Sequence, residues 1–289
     1  MKITLLTIAA LTGFAFNSIL CRLALGSGSI DAPNFTLIRI LSAAIVLSLL
    51  LVTTTKRSKL SERRGKGNFL SATFLFAYAI TFSFAYLGLT TATGALILFA
   101  CVQATMLIFG LVKGERPGPL EWVGLVVALG GLVYLVFPGL QSPPLASSLL
   151  MGAAGVAWGA YTLRGRGTKD PLAETTGNFV FAVPMVILAT LPFVTTSFVT
   201  PKGALLAALS GAVASGIGYS IWYAALRGHT SSSAAIVQLS VPVIAAAGGL
   251  FLLGETLSVR LVVASVLILG GIWLAVVGRK KIKQDIQDD

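Results

Sequence analysis

Ten apolar runs separated by short polar breaks constrain this chain more than any other feature of its sequence. They cover roughly residues 3–23, 33–52, 68–88, 92–112, 120–138, 146–163, 173–193, 204–226, 231–252 and 259–277. Each run is near the ~20 residues that a helix needs to cross a bilayer. The breaks leave no room for a sizeable soluble domain. The sequence therefore predicts an all-α polytopic membrane protein with ten transmembrane helices.

Composition supports this class and argues against a nucleic-acid partner. Apolar residues make up 56% of the chain, charged residues 11%, and the mean hydropathy is +0.91. The net charge of +11 comes mostly from Lys and Arg in short loops, a pattern that reports membrane orientation. The expected partner is the lipid bilayer. Cys21 and Cys101 lie inside apolar runs and are interpreted as packing residues.

Charge counting predicts the orientation. The first run is too long for a typical signal core and lacks a convincing cleavage site, so it is expected to stay as a helix. With both termini in the cytoplasm, 17 of the 21 Lys and Arg residues fall inside and four outside, namely Arg22, Arg39, Lys202 and Arg260. This asymmetry predicts a multi-pass protein of the cell (inner) membrane with both termini cytoplasmic.

An internal repeat divides the chain. Two dipeptides recur at an offset of 140 residues, Gly-Glu at 114–115 and 254–255 and Gly-Gly at 130–131 and 270–271. The segment GFAFNSILCR (13–22) also aligns with GVAWGAYTLR (155–164), which pairs Arg22 with Arg164. The predicted units are 1–138, 146–277 and a basic cytoplasmic tail, 278–289. Because five spans is an odd number, the two repeats are inverted, as in transporters that bind substrate near the midplane.

These features resemble the EamA-type branch of the drug/metabolite transporter superfamily. The resemblance rests on five-plus-five spans, on Arg39 within LIRILSAA of span 2, and on the Gly-Glu and Gly-Gly pairs of both halves. It implies an exporter of amino acids or other metabolites, and the pattern is similar to aromatic amino-acid exporters. Span 9 has the expected Pro242, whereas the aligned Val102 of span 4 departs from the pattern.

Acidic side chains are informative by their position. All ten Asp and Glu residues fall in predicted loops or near span ends, and His229 lies in a predicted inner loop. Ionisable groups inside a membrane cost about 2.5–3.5 kcal/mol on insertion scales and are normally retained for function. The sequence thus predicts no enzyme, no metal site and no cofactor. It favours a uniporter or an exchanger over a proton antiporter.

Polar and aromatic residues inside the spans are the candidate substrate-binding residues. An amide in hydrocarbon must face protein or water, and rings with hydroxyl groups suit an aromatic zwitterionic solute. The alternative for the amides is inter-helix hydrogen bonding, and for the rings it is helix packing or an interface belt. The candidates are Asn17, Tyr78, Phe82, Phe99, Gln103, Trp158, Tyr161, Tyr219 and Gln238.

Five further residues are assigned structural or gating roles: Arg39, Glu115, Pro184, Pro242 and Glu255. For Arg39 the alternatives are a substrate carboxylate, a helix C-terminus, or snorkelling to the interface, and a structural role is favoured. Both Glu residues are expected to be helix caps and interfacial anchors, Glu255 beside Arg260. Each proline marks a kink, a packing site or a gate.

The predicted function is export of small metabolites, foremost amino acids including aromatic ones, by alternating access. A drug, sugar-phosphate or nucleotide-sugar carrier of the same superfamily is the alternative within the class. An anionic-phosphate carrier needs several mid-span cations, and only Arg39 comes close. A channel or a non-transporting membrane scaffold is the alternative from another class. The oligomeric state is expected to be a monomer or a homodimer.

Overall fold

A computed structural model describes residues 2–63, 65–113, 118–139, 141–229, 234 and 237–288, with side chains described between residues 3 and 278. The described secondary structure is helical, apart from one isolated bridge between Ile30 and Val199. The helices are α1 (Lys2–Gly26), α2 (Ala32–Thr54), α3 (Arg57–Arg63), α4 (Phe69–Ala85), α5 (Thr91–Val112), α6 (Pro119–Val136), α7 (Leu145–Gly165), α8 (Pro171–Thr190), α9 (Pro201–Leu209), α10 (Gly218–Leu226), α11 (Ser240–Leu253) and α12 (Val259–Asp288). A 3₁₀ turn, Leu191–Thr196, follows α8, and a π segment, Ser210–Ile217, joins α9 to α10.

The prediction of an all-helical polytopic protein is confirmed. Within the described part of the chain, seven helical segments are long and apolar enough to cross a membrane. These are α1, α2, α5, α6, α8 with its 3₁₀ turn, the continuous helix Pro201–Leu226, and the first part of α12. The other three predicted spans contain α4, α7 and α11. That these three also cross the bilayer stays a prediction, and so does the count of ten.

Two helical stretches lie where the sequence predicts a loop and a tail. The basic segment after α2 contains the short helix α3. The last helix does not end near residue 277 but continues to Asp288. Both stretches are rich in Lys, Arg, Glu or Gln, which have good helix propensity, and their low apolar content hides them from a search for membrane spans.

Side-chain caps fix where several helices begin. Each cap is an Asp, Asn or Thr whose side chain accepts a hydrogen bond from a backbone N–H in the first turn of the helix. This arrangement satisfies donors that have no partner inside the helix. The capping residues are Asp31 for α2, Asn68 for α4, Thr90 for α5, Asp170 for α8 and Thr200 for α9.

Equivalent helices of the two halves make equivalent contacts. Helix α4 of the first half packs on α7 of the second, and the equivalent pair from the repeat, α10 with its π segment and α1, is also in contact. The contact of α5 with α7 is matched by that of α11 with α1. Each of the pairs α2 with α8, α5 with α11 and α6 with α12 joins a helix to its own repeat equivalent. Helices that the sequence repeat aligns thus have matching neighbours, while the division into two units at residues 138 and 146 stays a prediction.

The two glycines of each Gly-Gly pair differ in whether they lie at the contact of α6 with α12. A methyl group at Gly271 would lie 2.6 Å from the carbonyl oxygen of Gly124, and one at Gly131 would lie 2.7 Å from Cβ of Leu267. Among the described residues, a methyl group at Gly130 or Gly270 would meet nothing within 4 Å. Small residues let membrane helices approach closely, and only the second glycine of each pair serves this purpose.

The glycines of α7 have the same effect against α5. A methyl group at Gly155 would be 2.6 Å from Cβ of Cys101, and one at Gly159 would be 2.9 Å from Cβ of Thr105. The close approach expected from the GxxxG spacing is thus present. It holds the aromatic face of α7, with Trp158, in a fixed position beside α5.

The two prolines differ in their helical positions. Pro184 lies inside α8, where it removes one backbone hydrogen bond. Pro242 lies in the first turn of α11, just after a turn at Leu239. The first four N–H groups of a helix lack an intrahelical partner in any case. Pro242 therefore occupies a position that needs no N–H donor within α11, and the turn at Leu239 precedes it.

Candidate functional site

A buried arginine lies at the centre of the bundle. Arg39 of α2 has 1% of its surface exposed. Its Nε donates to the hydroxyl of Ser215 at 3.1 Å, and its Nη2 donates to the hydroxyls of Tyr78 at 2.9 Å and Tyr219 at 3.2 Å. The guanidinium also lies 5.1 Å from the ring centre of Tyr78 and 4.9 Å from that of Phe82. We call Arg39, Tyr78, Phe82, Ser215 and Tyr219 the arginine cluster.

This geometry corrects two interpretations of Arg39. Snorkelling is wrong, because the side chain is buried rather than extended to an interface. Pairing with a helix C-terminus is not observed either, since the hydrogen-bond acceptors found among the described residues are side-chain hydroxyls. Arg39 is seven residues after Ala32, a depth of about 10 Å at the rise of an α-helix.

The arginine cluster joins the two halves in a symmetric way. In the sequence, an offset of 137 residues pairs Tyr78 with Ser215 and Phe82 with Tyr219. Arg39 contacts both members of each pair. The π segment lies directly against α2 at Gly211. A methyl group there would clash with the carbonyl oxygen of Arg39. π-bulges are frequent at functional sites.

Asn17 of α1 extends the arginine cluster. Its side chain is 2% exposed, and its Nδ2 donates to the Tyr78 hydroxyl at 3.3 Å. Its Oδ1 accepts a hydrogen bond from the Ser210 hydroxyl of the π segment. The amide thus links α1 to α4 and to the second half. This contact satisfies the amide in the way expected of an inter-helix hydrogen bond, and it also places the amide at the same hydroxyl as Arg39.

Aromatic rings surround these polar groups. The ring centre of Trp158 is 4.5 Å from that of Tyr219, 5.0 Å from Tyr78 and 5.5 Å from Tyr161. Such distances are typical of interacting rings. Tyr161 lies at the edge of this group, where it accepts a hydrogen bond from Asn178 at 3.3 Å. The structure therefore brings together Trp158, Tyr161 and the predicted residues of the arginine cluster.

Phe14 is a site residue that the sequence analysis missed. Its ring centre is 5.9 Å from Trp158 and 5.6 Å from both Tyr219 and Trp222. The repeat alignment points instead to Phe16, which is 42% exposed. Helical spacing could have identified Phe14, because it precedes Asn17 by three residues and shares its face.

Three predicted site residues lie apart from the arginine cluster. Phe99 is buried on α5, and none of the ring pairs found among the described residues includes it. Gln103 lines a small gap between α5, α6 and α12 with Gly124 and Ile272. Gln238 donates to the carbonyl of Ala234, one turn earlier. Among the described residues, Nε2 of Gln103 and Oε1 of Gln238 find no hydrogen-bond partner, and neither amide is bonded to the arginine cluster.

One end of the bundle is tied by Glu255. Its Oε1 pairs with Nε of Arg22 at 3.3 Å, and its Oε2 accepts from the backbone N–H of Thr91 at 2.9 Å. Gly254, with φ of 66°, ends α11 in the left-handed region that favours glycine. The predicted structural role at a helix end fits this geometry, but Arg260 is not the partner: it donates to the carbonyl of Tyr134. Glu115, the repeat equivalent, lies outside the described residues.

The opposite end is tied by Asp170, the cap of α8. Arg63 donates to both of its carboxylate oxygens at 2.6 Å, and Lys66 lies 3.9 Å away. The hydrogen bonds from Arg63 hold the pKa of Asp170 below its usual value, and they raise the pKa of Arg63. Arg164 is at this same end, where it donates to Ser71 and Asn68 at the start of α4.

The central cluster is suited to binding rather than to covalent chemistry. It offers one cation, several hydroxyls and an amide, surrounded by rings. Nowhere in the described part of the chain do three His, Cys, Asp or Glu side chains gather as a metal site. A buried, mainly apolar site with a few polar groups is the usual form of a small-molecule site.

This architecture defines a membrane carrier, and the chain belongs to the EamA-like transporter family, which matches residues 1–137 and 145–277. The match covers both repeats and confirms the resemblance seen in the sequence. Family membership indicates a transporter rather than an enzyme.

Individual relatives agree with this assignment. The chain is 48% identical over 275 residues to an uncharacterised protein of Pseudomonas aeruginosa, covering 95% of this chain and 94% of that one. It is 27% identical over 233 residues to a probable amino-acid metabolite efflux pump of Salmonella typhimurium, covering 71% of this chain and 77% of that one. The chain also resembles a solved crystal structure, with a TM-score of 0.62 and 20% sequence identity. The match covers 94% of this chain and 98% of the chain in that structure, which supports the fold.

Proposed function

We propose that this transporter exports amino acids and related small metabolites, aromatic ones included, by alternating access of two inverted five-helix repeats across the cell (inner) membrane. It acts as a uniporter or an exchanger, as a monomer or a homodimer, with both termini in the cytoplasm. The observation that carries the proposal is the arginine cluster with its aromatic surround, which is buried and built by both halves. The name of the Salmonella relative supports the substrate class.

The contacts of two equivalent arginines support the inverted arrangement. Arg22 ends α1 and donates to the carbonyl of Tyr86 at the C-terminal end of α4. Arg164 ends α7 and donates to Asn68 at the N-terminal end of α4. Equivalent helix ends thus lie at opposite ends of one helix, as an inverted repeat requires. Such a repeat has two related arrangements, each open to one side.

The position of the acidic residues supports uniport or exchange. Each described Asp or Glu for which a burial is given lies in a loop, at a helix cap, in a first helical turn or, for Glu62, in the short exposed helix α3. A proton antiporter normally carries its titratable acid within the spans. Arg39 is the one Lys or Arg that is buried among the described residues, which disfavours a carrier of anionic phosphates.

Flux into proteoliposomes tests the proposal. We expect saturable exchange of labelled phenylalanine against internal phenylalanine, with equal rates in the presence and absence of a pH gradient. Protein-free liposomes and a phosphate-ester solute serve as controls. Strict dependence on the gradient contradicts uniport or exchange, non-saturating ionic conductance indicates a channel, and absence of flux for every amino acid tested contradicts the substrate class.

A further inference from the structure

No described carboxylate forms an ion pair with Arg39. Guanidinium groups stay protonated in proteins, so a buried arginine normally pairs with a carboxylate. None of the ion pairs formed by described residues includes Arg39. Its partners are the neutral hydroxyls of Tyr78, Tyr219 and Ser215. The arginine cluster therefore carries a net positive charge inside the membrane.

One nitrogen of Arg39 is also unused. Among the described residues, Nη1 is buried without a hydrogen-bond partner, although the side chain is 1% exposed. A buried donor left unsatisfied costs about 1–3 kcal/mol, and more when it is charged. The three hydroxyl contacts of Arg39 use Nε and Nη2 and leave Nη1 as a charged donor available to a ligand.

We infer that Arg39 is the binding site for the carboxylate of the transported solute. This inference rests on the proposed function and names the chemical group that the site selects. A carboxylate accepts two parallel N–H bonds from a guanidinium, and Nη1 supplies a donor that the hydroxyls leave free. The hydroxyls of Tyr78 and Tyr219, 3.3 Å apart, can turn their protons to the same anion.

The surrounding rings fit the remainder of such a solute. Trp158 lies 5.0 Å from Tyr78 and 4.5 Å from Tyr219, ring centre to ring centre. A solute whose carboxylate reaches Arg39 past these hydroxyls places its apolar part against the same rings. The Oδ1 of Asn17 already accepts from Ser210, and an ammonium group would compete for it. The site thus recognises the carboxylate more strongly than the amine.

A ligand series on the unmodified full-length protein tests this inference. Labelled phenylalanine exchange in proteoliposomes is measured with 3-phenylpropionate, which has only the carboxylate, and with phenylethylamine, which has only the ammonium. We expect 3-phenylpropionate to compete at least about tenfold better, which corresponds to about 1.4 kcal/mol. Equal competition, or stronger competition by phenylethylamine, overturns the inference while the exchange itself still supports the proposed function.

Variants and a binding measurement complete the test. In Arg39→Gln we expect the preference for 3-phenylpropionate to disappear, and in Arg39→Lys to persist; a preference retained in folded Arg39→Gln overturns the inference. Lys202→Gln, which removes an exposed cation, should behave as the unmodified protein.

A binding measurement decides the case in which no exchange occurs or Arg39→Gln does not fold. The tryptophan fluorescence of the unmodified protein is titrated with 3-phenylpropionate and with phenylethylamine. Tighter binding of 3-phenylpropionate supports the site, and tighter or equal binding of phenylethylamine refutes it.

Discussion

Removal of the Glu255 carboxylate should open the end of the bundle that it ties. The carboxylate bonds Arg22 of α1 and the first N–H of α5, while Glu255 itself follows α11. Charge-assisted hydrogen bonds contribute about 1.5–3 kcal/mol when buried. The Arg22 and Glu255 side chains are 25% and 11% exposed, so we reduce each contact to about 1 kcal/mol for solvent screening.

The two contacts together stabilise the closed end by about 2 kcal/mol, which corresponds to a factor of about 30 in an equilibrium constant. If both contacts exist only when this end is closed, Glu255→Ala raises the open fraction by up to that factor. Cys21 is buried next to Arg22 and reports the opening. In a Cys101→Ala background, we expect a membrane-impermeant maleimide to label Cys21 about ten to thirty times faster.

Matched controls separate local opening from general loosening. Glu62→Ala removes an exposed carboxylate near the opposite end and should leave Cys21 labelling unchanged. In a Cys21→Ala background, the rate at which the maleimide labels Cys101 should be the same with and without the Glu255→Ala substitution. Labelling of Cys21 that stays within about twofold in a well-folded Glu255→Ala protein would refute the assignment of these contacts to a closed gate.

Three other predictions concern separate parts of the bundle. Arg63 lowers the pKa of Asp170 in the folded state. The stabilisation that the Asp170 carboxylate contributes is therefore present above the ordinary pKa of Asp and is lost as the pH falls through the lowered one. Thermal unfolding should show Asp170→Asn less stable than the unmodified protein at pH 7, and the difference should shrink as the pH falls through the lowered pKa. Gly271→Ala should lower the melting temperature, because the added methyl group overpacks the contact with α6 at a cost of about 1–3 kcal/mol. Gly270→Ala should leave the melting temperature unchanged, because its methyl group meets no described atom within 4 Å. Equal melting temperatures of the two variants would contradict the described contact of α6 with α12. Trp158→Ala should weaken phenylalanine exchange more than alanine exchange, and an equal loss for both would argue against ring recognition.

Hydropathy and the repeat predicted most of the architecture because both depend on properties that are local in sequence. A membrane span must be apolar along its length, so the runs in the sequence coincide with helices in the structure. The paired glycines predicted a close contact, but not that Gly131 faces it while Gly130 does not. That distinction depends on the rotation of each helix, which no repeat offset specifies.

Only part of the candidate site could be predicted, because helical spacing and the repeat offset specify which residues share a face but not what that face contacts. Tyr78 and Phe82 share one face of α4 by helical spacing, and the repeat offset leads to Tyr219, so these three could be found. Gln103 and Gln238 have the same residue type, yet each is directed elsewhere. A polar side chain in a span must find some partner, but its sequence position does not determine whether that partner is a neighbouring helix or a shared chamber.

The neutrality of its partners suits Arg39 to the proposed alternating-access cycle. A protein carboxylate at this position would satisfy the guanidinium permanently, and separating that buried pair would cost several kcal/mol at every cycle. Hydroxyl groups solvate the charge from both halves without neutralising it. The attraction for an anionic group therefore persists, and the halves part at the cost of hydrogen bonds worth about 1.5–3 kcal/mol each. In the proposed cycle, the carboxylate of the solute replaces those bonds, and the solute itself thereby lowers the barrier between the two proposed arrangements.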